Sequence, residues 1–95
     1  MIKTYHTNTH AYAARVEGDL YELCEYLVDN LVTKEAHPMW KMPGGFQEGV
    51  DPNAIMLWDY HHGWVEADEG DYILNTPSGA RHVPGDIFEM FFTPQ

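Results

Sequence analysis

The clearest hydrophobic pattern in the chain lies between Leu20 and Leu31. Apolar residues recur there at positions i, i+3, i+4, i+7, i+8 and i+11, which is the spacing of one face of an amphipathic helix. Asp19 stands where an N-cap residue is expected, and Glu22 follows three residues later, as in a capping box. The pattern predicts a helix over about residues 19–33.

Extended segments precede and follow this helix. Ala11–Val16 places Tyr12, Ala14 and Val16 on one side, which predicts a first strand. Pro84-Gly85-Asp86 indicates the start of a short C-terminal helix. Between the two helices the chain predicts an antiparallel meander, whose strands are separated by turn sequences and comprise residues 54–60, 63–67, 71–75 and 80–83.

The predicted fold class is α+β, in a single domain spanning residues 1–95. One amphipathic helix packs on a small antiparallel sheet, and a short helix closes the chain. Residues at about 34–53 contain many prolines and glycines, which predicts a long irregular loop. Its large apolar side chains either cap the core or contact a partner, because they are costly to leave in water; they are Met39, Trp40, Met42 and Phe46.

Composition narrows the classes of function. The chain has 95 residues and 44% hydrophobic residues, which is too apolar for a disordered acidic tail. It carries 15 acidic residues against 5 basic ones, a net charge of -10. This charge repels nucleic acid and anionic membranes, so we expect no direct nucleic-acid binding, no membrane association and a protein as partner.

Cys24 is the only cysteine in the chain and cannot form an internal disulfide. It lies on the apolar face of the predicted helix, where burial is expected to raise the pKa of its thiol. The first residues do not resemble a signal peptide, and the apolar stretches are too short for a membrane span. These features predict a cytoplasmic location.

The second half of the chain has a recognisable series of motifs at residues 70–74, 78–79, Pro84 and 86–91. They match a Gly-Asp-Trp-Ile strand, a glycine-containing turn and a phenylalanine-containing terminal helix. This series resembles the C-terminal part of a group of small bacteriophage and prophage accessory proteins of unknown function. Tyr72 replaces the usual tryptophan. Residues 14–19 resemble the opening strand and turn of the same group, so the match covers roughly two thirds of the chain. The resemblance implies a phage-encoded protein that acts in the host cytoplasm.

Histidines are the first candidates for catalytic or metal chemistry. A metal site needs three or four converging ligands, and the available set is Asp59, His61 or His62, and His82. His61 and His62 would point to opposite faces of a strand, which favours a His-His pair in a hairpin turn. We therefore predict no catalytic residue, no metal and no cofactor, and a small metal-dependent enzyme remains the weaker alternative.

Acidic residues form the most pronounced surface feature. Several carboxylates share the solvent side of the predicted helix, and others stand in a later turn. Asp71 belongs to that turn and is expected to be solvated there. A solvated surface and a mimic of nucleic-acid phosphates are both compatible with this acidic surface, which comprises Asp19, Glu22, Glu25, Asp29, Asp68 and Glu69.

Aromatic residues exceed what a core of this size obviously requires, and aromatic and methionine side chains are enriched at protein interfaces. The predicted partner-binding residues are Met39, Trp40, Met42, Phe46, Phe91 and Phe92. We expect a non-enzymatic, phage-encoded accessory protein that binds a host or phage protein and modulates its activity, in host takeover or counter-defence. The alternative is an acidic DNA-mimic inhibitor of a nucleic-acid-binding protein. A homo-oligomer is compatible with either.

Overall fold

The fold is known from a computed structural model, which describes residues 4–6, 12–41 and 48–91. It is α+β, as predicted from the sequence. In chain order the elements are β1 (Thr4–His6), β2 (Tyr12–Arg15), α1 (Leu20–Asp29), β3 (Ala36–Met39), β4 (Ala54–Asp59), β5 (Gly63–Asp68), β6 (Tyr72–Thr76), β7 (Gly79–Val83) and α2 (Gly85–Phe91). Within these ranges, neither helix is long and apolar enough to cross a lipid bilayer.

The strands form two antiparallel sheets rather than one meander. The four-stranded sheet has the order β1-β2-β6-β7, and the three-stranded sheet has the order β3-β4-β5. The four predicted strands of the second half are present, but β5 and β6 belong to different sheets. The physical reason lies in β6, where Tyr72, Ile73 and Leu74 are all buried, so this strand needs apolar cover on both faces and takes a central position.

Helix α1 covers the larger of two apolar clusters. Its buried residues Leu20, Leu23 and Leu27 pack with Ile55 and Leu57 of β4, and Ala14 and Ile73 of the four-stranded sheet join them. Cys24 is a buried free cysteine in this cluster, and burial raises the pKa of its thiol to about 11, as expected from the sequence.

Helix α2 covers the opposite face of the four-stranded sheet. Phe88 is fully buried there with Ala13, Tyr72 and Leu74. The rings of Tyr72 and Phe88 stack with their centroids 3.8 Å apart. The residues that resemble the phage signature therefore have a packing role, because they attach α2 to β6.

The predicted loop at 34–53 is wrong in its first part, because β3 occupies Ala36–Met39. Among the strands of the described ranges, β3 pairs with β4 alone and lies at the edge of its sheet. An edge strand tolerates Pro38, since one side of its backbone makes no hydrogen bonds to a neighbour. Strand β1 was not predicted from the sequence, because the residues around it are polar and show no alternation of hydrophobic and polar positions. Met42 and Phe46 lie outside the described residues.

The C-terminal end of α1 comes earlier than the predicted residue 33. Helix α1 ends at Asp29, and Leu31 adopts a left-handed conformation with φ of 60°. Val32 N donates to Leu27 O at 2.9 Å and Leu31 N donates to Val28 O at 3.1 Å, which is the Schellman pattern. A leucine therefore occupies the position that glycine usually takes.

Leu31→Gly is expected to stabilise the protein by about 0.5–1 kcal/mol. The left-handed conformation costs a residue with a Cβ about 1–2 kcal/mol, and the greater freedom of glycine in the unfolded chain offsets part of the gain. Little burial is lost, because Leu31 is 86% exposed. Urea unfolding measures the change. Leu31→Ala is the control, since it keeps the Cβ; equal stability of the two variants would contradict this explanation.

Candidate functional site

The three-stranded sheet has one face that packs on the core and one that faces outward. Ile55 and Leu57 of β4 point to the core with Ala67 of β5. The register of the sheet places alternate residues on the opposite side, which we call the outer face. The outer face comprises Glu35, His37, Met39, Ala54, Met56, Trp58, Trp64, Glu66 and Asp68.

Two tryptophans form the centre of the outer face. Trp58 and Trp64 are directly opposite each other on β4 and β5, and their rings meet edge to face with centroids 5.6 Å apart. Trp64 is 45% exposed, although it is one of the largest apolar side chains in the protein. The His37 ring lies 6.2 Å from the Trp64 ring. The result is an accessible aromatic platform on a regular sheet.

Charged side chains surround this platform. Lys34 Nζ lies 4.1 Å from the Trp58 ring centroid, a cation–π contact. His37 Nε2 lies 3.0 Å from Glu35 Oε1. Lys41 Nζ pairs with Asp68 Oδ1 at 2.8 Å and with Glu66 Oε2 at 3.5 Å. The hydrogen bond to Asp68 is the largest effect on Lys41 and raises its pKa. The three carboxylates of the outer face are about half-exposed.

Asp59 holds the β4–β5 hairpin that presents the two tryptophans. Its carboxylate is buried, and Oδ1 accepts hydrogen bonds from His61 N at 2.7 Å and His62 N at 3.2 Å. Oδ2 accepts from His82 N on β7 at 3.3 Å, which ties the hairpin to the other sheet. Gly63 follows the turn with φ of 80°, a conformation that favours glycine. This network sets Trp58 opposite Trp64.

Hydrogen bonds to the Asp59 carboxylate affect its pKa more strongly than burial does. Burial alone would raise the pKa of this carboxyl group. The backbone N–H groups of His61 and His82, with the donors of His62, stabilise the ionised form more strongly, so the pKa lies below its usual value. Asp59 is therefore an ionised structural group inside the protein.

Asp71 forms a second carboxylate centre, and it is not the solvated turn residue expected from the sequence. Its side chain is 19% exposed, and Oδ2 lies 2.8 Å from His82 Nε2. Burial would raise the pKa of Asp71, but the His82 side chain and the N–H groups of Gly85 and Asp68 lower it. His82 thus contacts Asp59 through its backbone and Asp71 through its ring.

The histidines do not assemble a metal centre with Asp59 in the described part of the chain. No group of three or more histidine, cysteine, aspartate or glutamate side chains is arranged there to hold a metal ion. His61 and His62 lie in the turn after β4, with ring centroids 6.5 Å apart, which confirms the predicted His-His hairpin turn.

Among the predicted partner-binding residues, the side chains that the structure describes are those of Met39 and Trp40, and these two lie on different surfaces. Met39 lies on the outer face, whereas Trp40 packs edge to face on Tyr21 of α1 and donates to Val50 O at 2.8 Å. Trp40 is half-buried and fastens the segment after β3 to α1. Phe91 ends α2, and its side chain lies outside the described residues, as does Phe92.

The acidic residues are also divided between surfaces. Asp19 is the N-cap of α1, as predicted, and accepts from the N–H groups of Tyr21 and Glu22. An exposed stripe on α1 comprises Glu22, Glu25 and Asp29. Helix α1 packs on the core face of the three-stranded sheet, so Asp68 on the outer face lies on the other side of that sheet. Glu69 is exposed in the turn after β5.

Trp58 and Trp64 are the site residues that the sequence-based assignment missed. The order of residues in β5 contains evidence for this surface, because successive side chains of a strand point to opposite sides. Trp64, Glu66 and Asp68 lie on one side, and Val65 and Ala67 lie on the other. A large aromatic residue among charged ones on the solvent side of a strand indicates a contact surface.

Searches of protein families, curated proteins and solved structures find no match to this chain.

Proposed function

We propose that this protein is a non-enzymatic, phage-encoded accessory protein that docks on a host or phage protein through its outer face and modulates that partner's activity in the host cytoplasm. The observation that carries the proposal is the Trp58–Trp64 pair on a regular sheet, in which Trp64 is 45% exposed and Trp58 is partly exposed. Tryptophan is enriched among the residues that dominate binding energy at interfaces, and a preformed sheet loses little conformational freedom on binding.

The polar groups of the interior favour binding over catalysis. A catalytic carboxylate or histidine needs access to a substrate, whereas Asp59 is 1% exposed and its oxygens already accept backbone hydrogen bonds. Asp71 and His82 pair with each other at 2.8 Å, and each side chain is about one-fifth exposed. These groups serve the fold, which leaves the outer face as the candidate for contact with other molecules.

A second candidate function is an acidic DNA mimic that inhibits a nucleic-acid-binding protein. The exposed stripe of Glu22, Glu25 and Asp29 on α1 favours it. Three carboxylates on one helix are sparse beside the charge spacing of duplex DNA, about 1.7 Å per phosphate along the axis. A mimic would act through this stripe, and its complex would be competed by duplex DNA.

Affinity capture from a bacterial lysate tests the first proposal when variants are compared. Trp64→Ala is expected to reduce retention of the partner at least about tenfold, since truncation of a central interface tryptophan commonly costs more than about 1.4 kcal/mol. Met90→Ala is the matched control, because Met90 is 72% exposed on α2.

Equal retention by the wild-type protein and Trp64→Ala would contradict binding at the outer face. If retention instead falls on combining Glu22→Gln with Glu25→Gln, and duplex DNA releases the partner, the DNA mimic is the better description. Circular dichroism and urea unfolding must show that each variant is folded.

A further inference from the structure

We infer that the outer face recognises a cationic protein segment, with an arginine or lysine side chain seated on the Trp64 ring and paired with the neighbouring carboxylates. This deepens the proposed function and rests on it. Three observations carry the inference: a cation already bound to the same aromatic pair, half-exposed carboxylates beside it, and the charge of the whole chain.

Lys34 shows which chemical group this aromatic pair accepts. Its ammonium nitrogen is 4.1 Å from the Trp58 ring centroid, well within the range of a cation–π contact. Trp64 offers the same indole at the edge strand of the sheet. Among the described residues, no lysine or arginine lies over the Trp64 ring, so this ring is accessible to a cation from outside.

Carboxylates lie on the outer face beside both tryptophans, Glu66 on the strand of Trp64 and Glu35 next to Trp58. Glu66 lies two residues along β5 from Trp64, on the same side of the strand, and its side chain is 52% exposed. Glu35 directly precedes β3, its backbone carbonyl accepts from Trp58 N at 3.1 Å, and its side chain is 50% exposed. Lys41 is shared between Glu66 and Asp68, so this carboxylate pair keeps a net negative charge. A guanidinium group can stack on an indole and at the same time donate hydrogen bonds to a neighbouring carboxylate.

The charge of the chain favours a cationic partner over a second copy. The protein has a net charge of -10, and an identical chain would bring the same charge to the interface. Repulsion between like surfaces opposes self-association, whereas the same field accelerates encounter with a basic surface. We therefore assign the outer face to a basic partner rather than to a homo-oligomer.

The test is a titration of the folded protein with an arginine–glycine repeat peptide at physiological ionic strength, followed by the indole N–H signals in ¹H–¹⁵N NMR spectra. The control peptide carries citrulline, which keeps the shape of arginine without its charge. The arginine peptide is expected to shift the Trp64 indole signal, and the citrulline peptide is expected to leave it in place.

Variants separate stacking from general charge attraction. Trp64→Leu keeps an apolar side chain but has no aromatic ring, and it is expected to weaken peptide binding roughly threefold to tenfold. Trp64→Phe keeps an aromatic ring and is expected to retain most of the binding affinity. Glu35→Gln with Glu66→Gln should weaken binding more than Glu22→Gln with Glu25→Gln, which removes the same charge from α1.

Three results would overturn the inference. These are equal binding of the arginine and citrulline peptides, equal effects of the two charge pairs, and a dimer in sedimentation experiments that Trp64→Leu abolishes. The inference and the proposed function fail on different results. If Trp64→Ala loses the captured partner but the arginine peptide does not displace that partner, the proposed function holds and the inference of a cationic segment is also overturned. If Trp64→Ala retains the partner as well as the wild-type protein does, the proposed function itself fails.

Discussion

Asp59→Ala is expected to lower the free energy of unfolding by about 3–5 kcal/mol, because it removes a buried charge that several donors stabilise. The N–H groups of His61, His62 and His82 would lose their common acceptor inside the protein. The variant would also loosen the hairpin that sets Trp58 opposite Trp64. Urea unfolding at neutral pH measures the loss.

The pH dependence of this loss identifies its cause. The folded-state pKa of Asp59 is lowered, so its contribution to stability is complete above the unfolded value of about 3.9 and disappears as the pH falls through the folded-state pKa. The gap between the wild-type protein and Asp59→Ala should therefore narrow below about pH 4. Asp59→Asn, which keeps one acceptor oxygen, should lose less at neutral pH. A gap that does not change with pH would contradict the ionised role of Asp59.

Gly85→Ala is expected to destabilise the protein by about 2–4 kcal/mol through a steric clash. A Cβ on Gly85 would overlap the backbone carbonyl of Gly70, and a backbone group cannot move aside as a side chain end can. Gly85 N also donates to Asp71 Oδ1 at 3.0 Å, and this contact requires the close approach. Helix α2 would have to shift and draw Phe88 away from Tyr72.

Thermal unfolding and near-ultraviolet circular dichroism test the Gly85 prediction. The first is expected to show a lower Tm, and the second a weaker aromatic signal as the Tyr72–Phe88 stack opens. Met90→Ala in the same helix is the control and should have little effect, because Met90 is 72% exposed. Wild-type stability of Gly85→Ala would contradict the contact between Gly85 and Gly70.

The candidate site could be predicted only in part from the sequence, and the outer face shows the reason. The periodicity of β4 and β5 indicates which side of each strand faces solvent, and thus that Trp64 shares a side with Glu66. The predicted partner-binding surface lay instead in residues 34–53. The many prolines and glycines there predicted an irregular loop, so the short strand β3, which carries Met39, was not predicted. Trp40 belonged to that segment but folds back on Tyr21.

The sequence by itself determined the local elements: helix α1 and its Asp19 cap, the strands of the second half, the short α2, the His-His turn and the buried Cys24. Each depends on interactions between residues a few positions apart, so a periodic pattern is sufficient evidence. Only the tertiary structure decided that β5 and β6 belong to different sheets, that Lys34 lies over Trp58, and that Asp59 and Asp71 meet at His82. Lys34 and Trp58, like Asp59 and His82, are more than twenty residues apart in the chain, and the division of strands between sheets depends on how both sheets bury their apolar faces together.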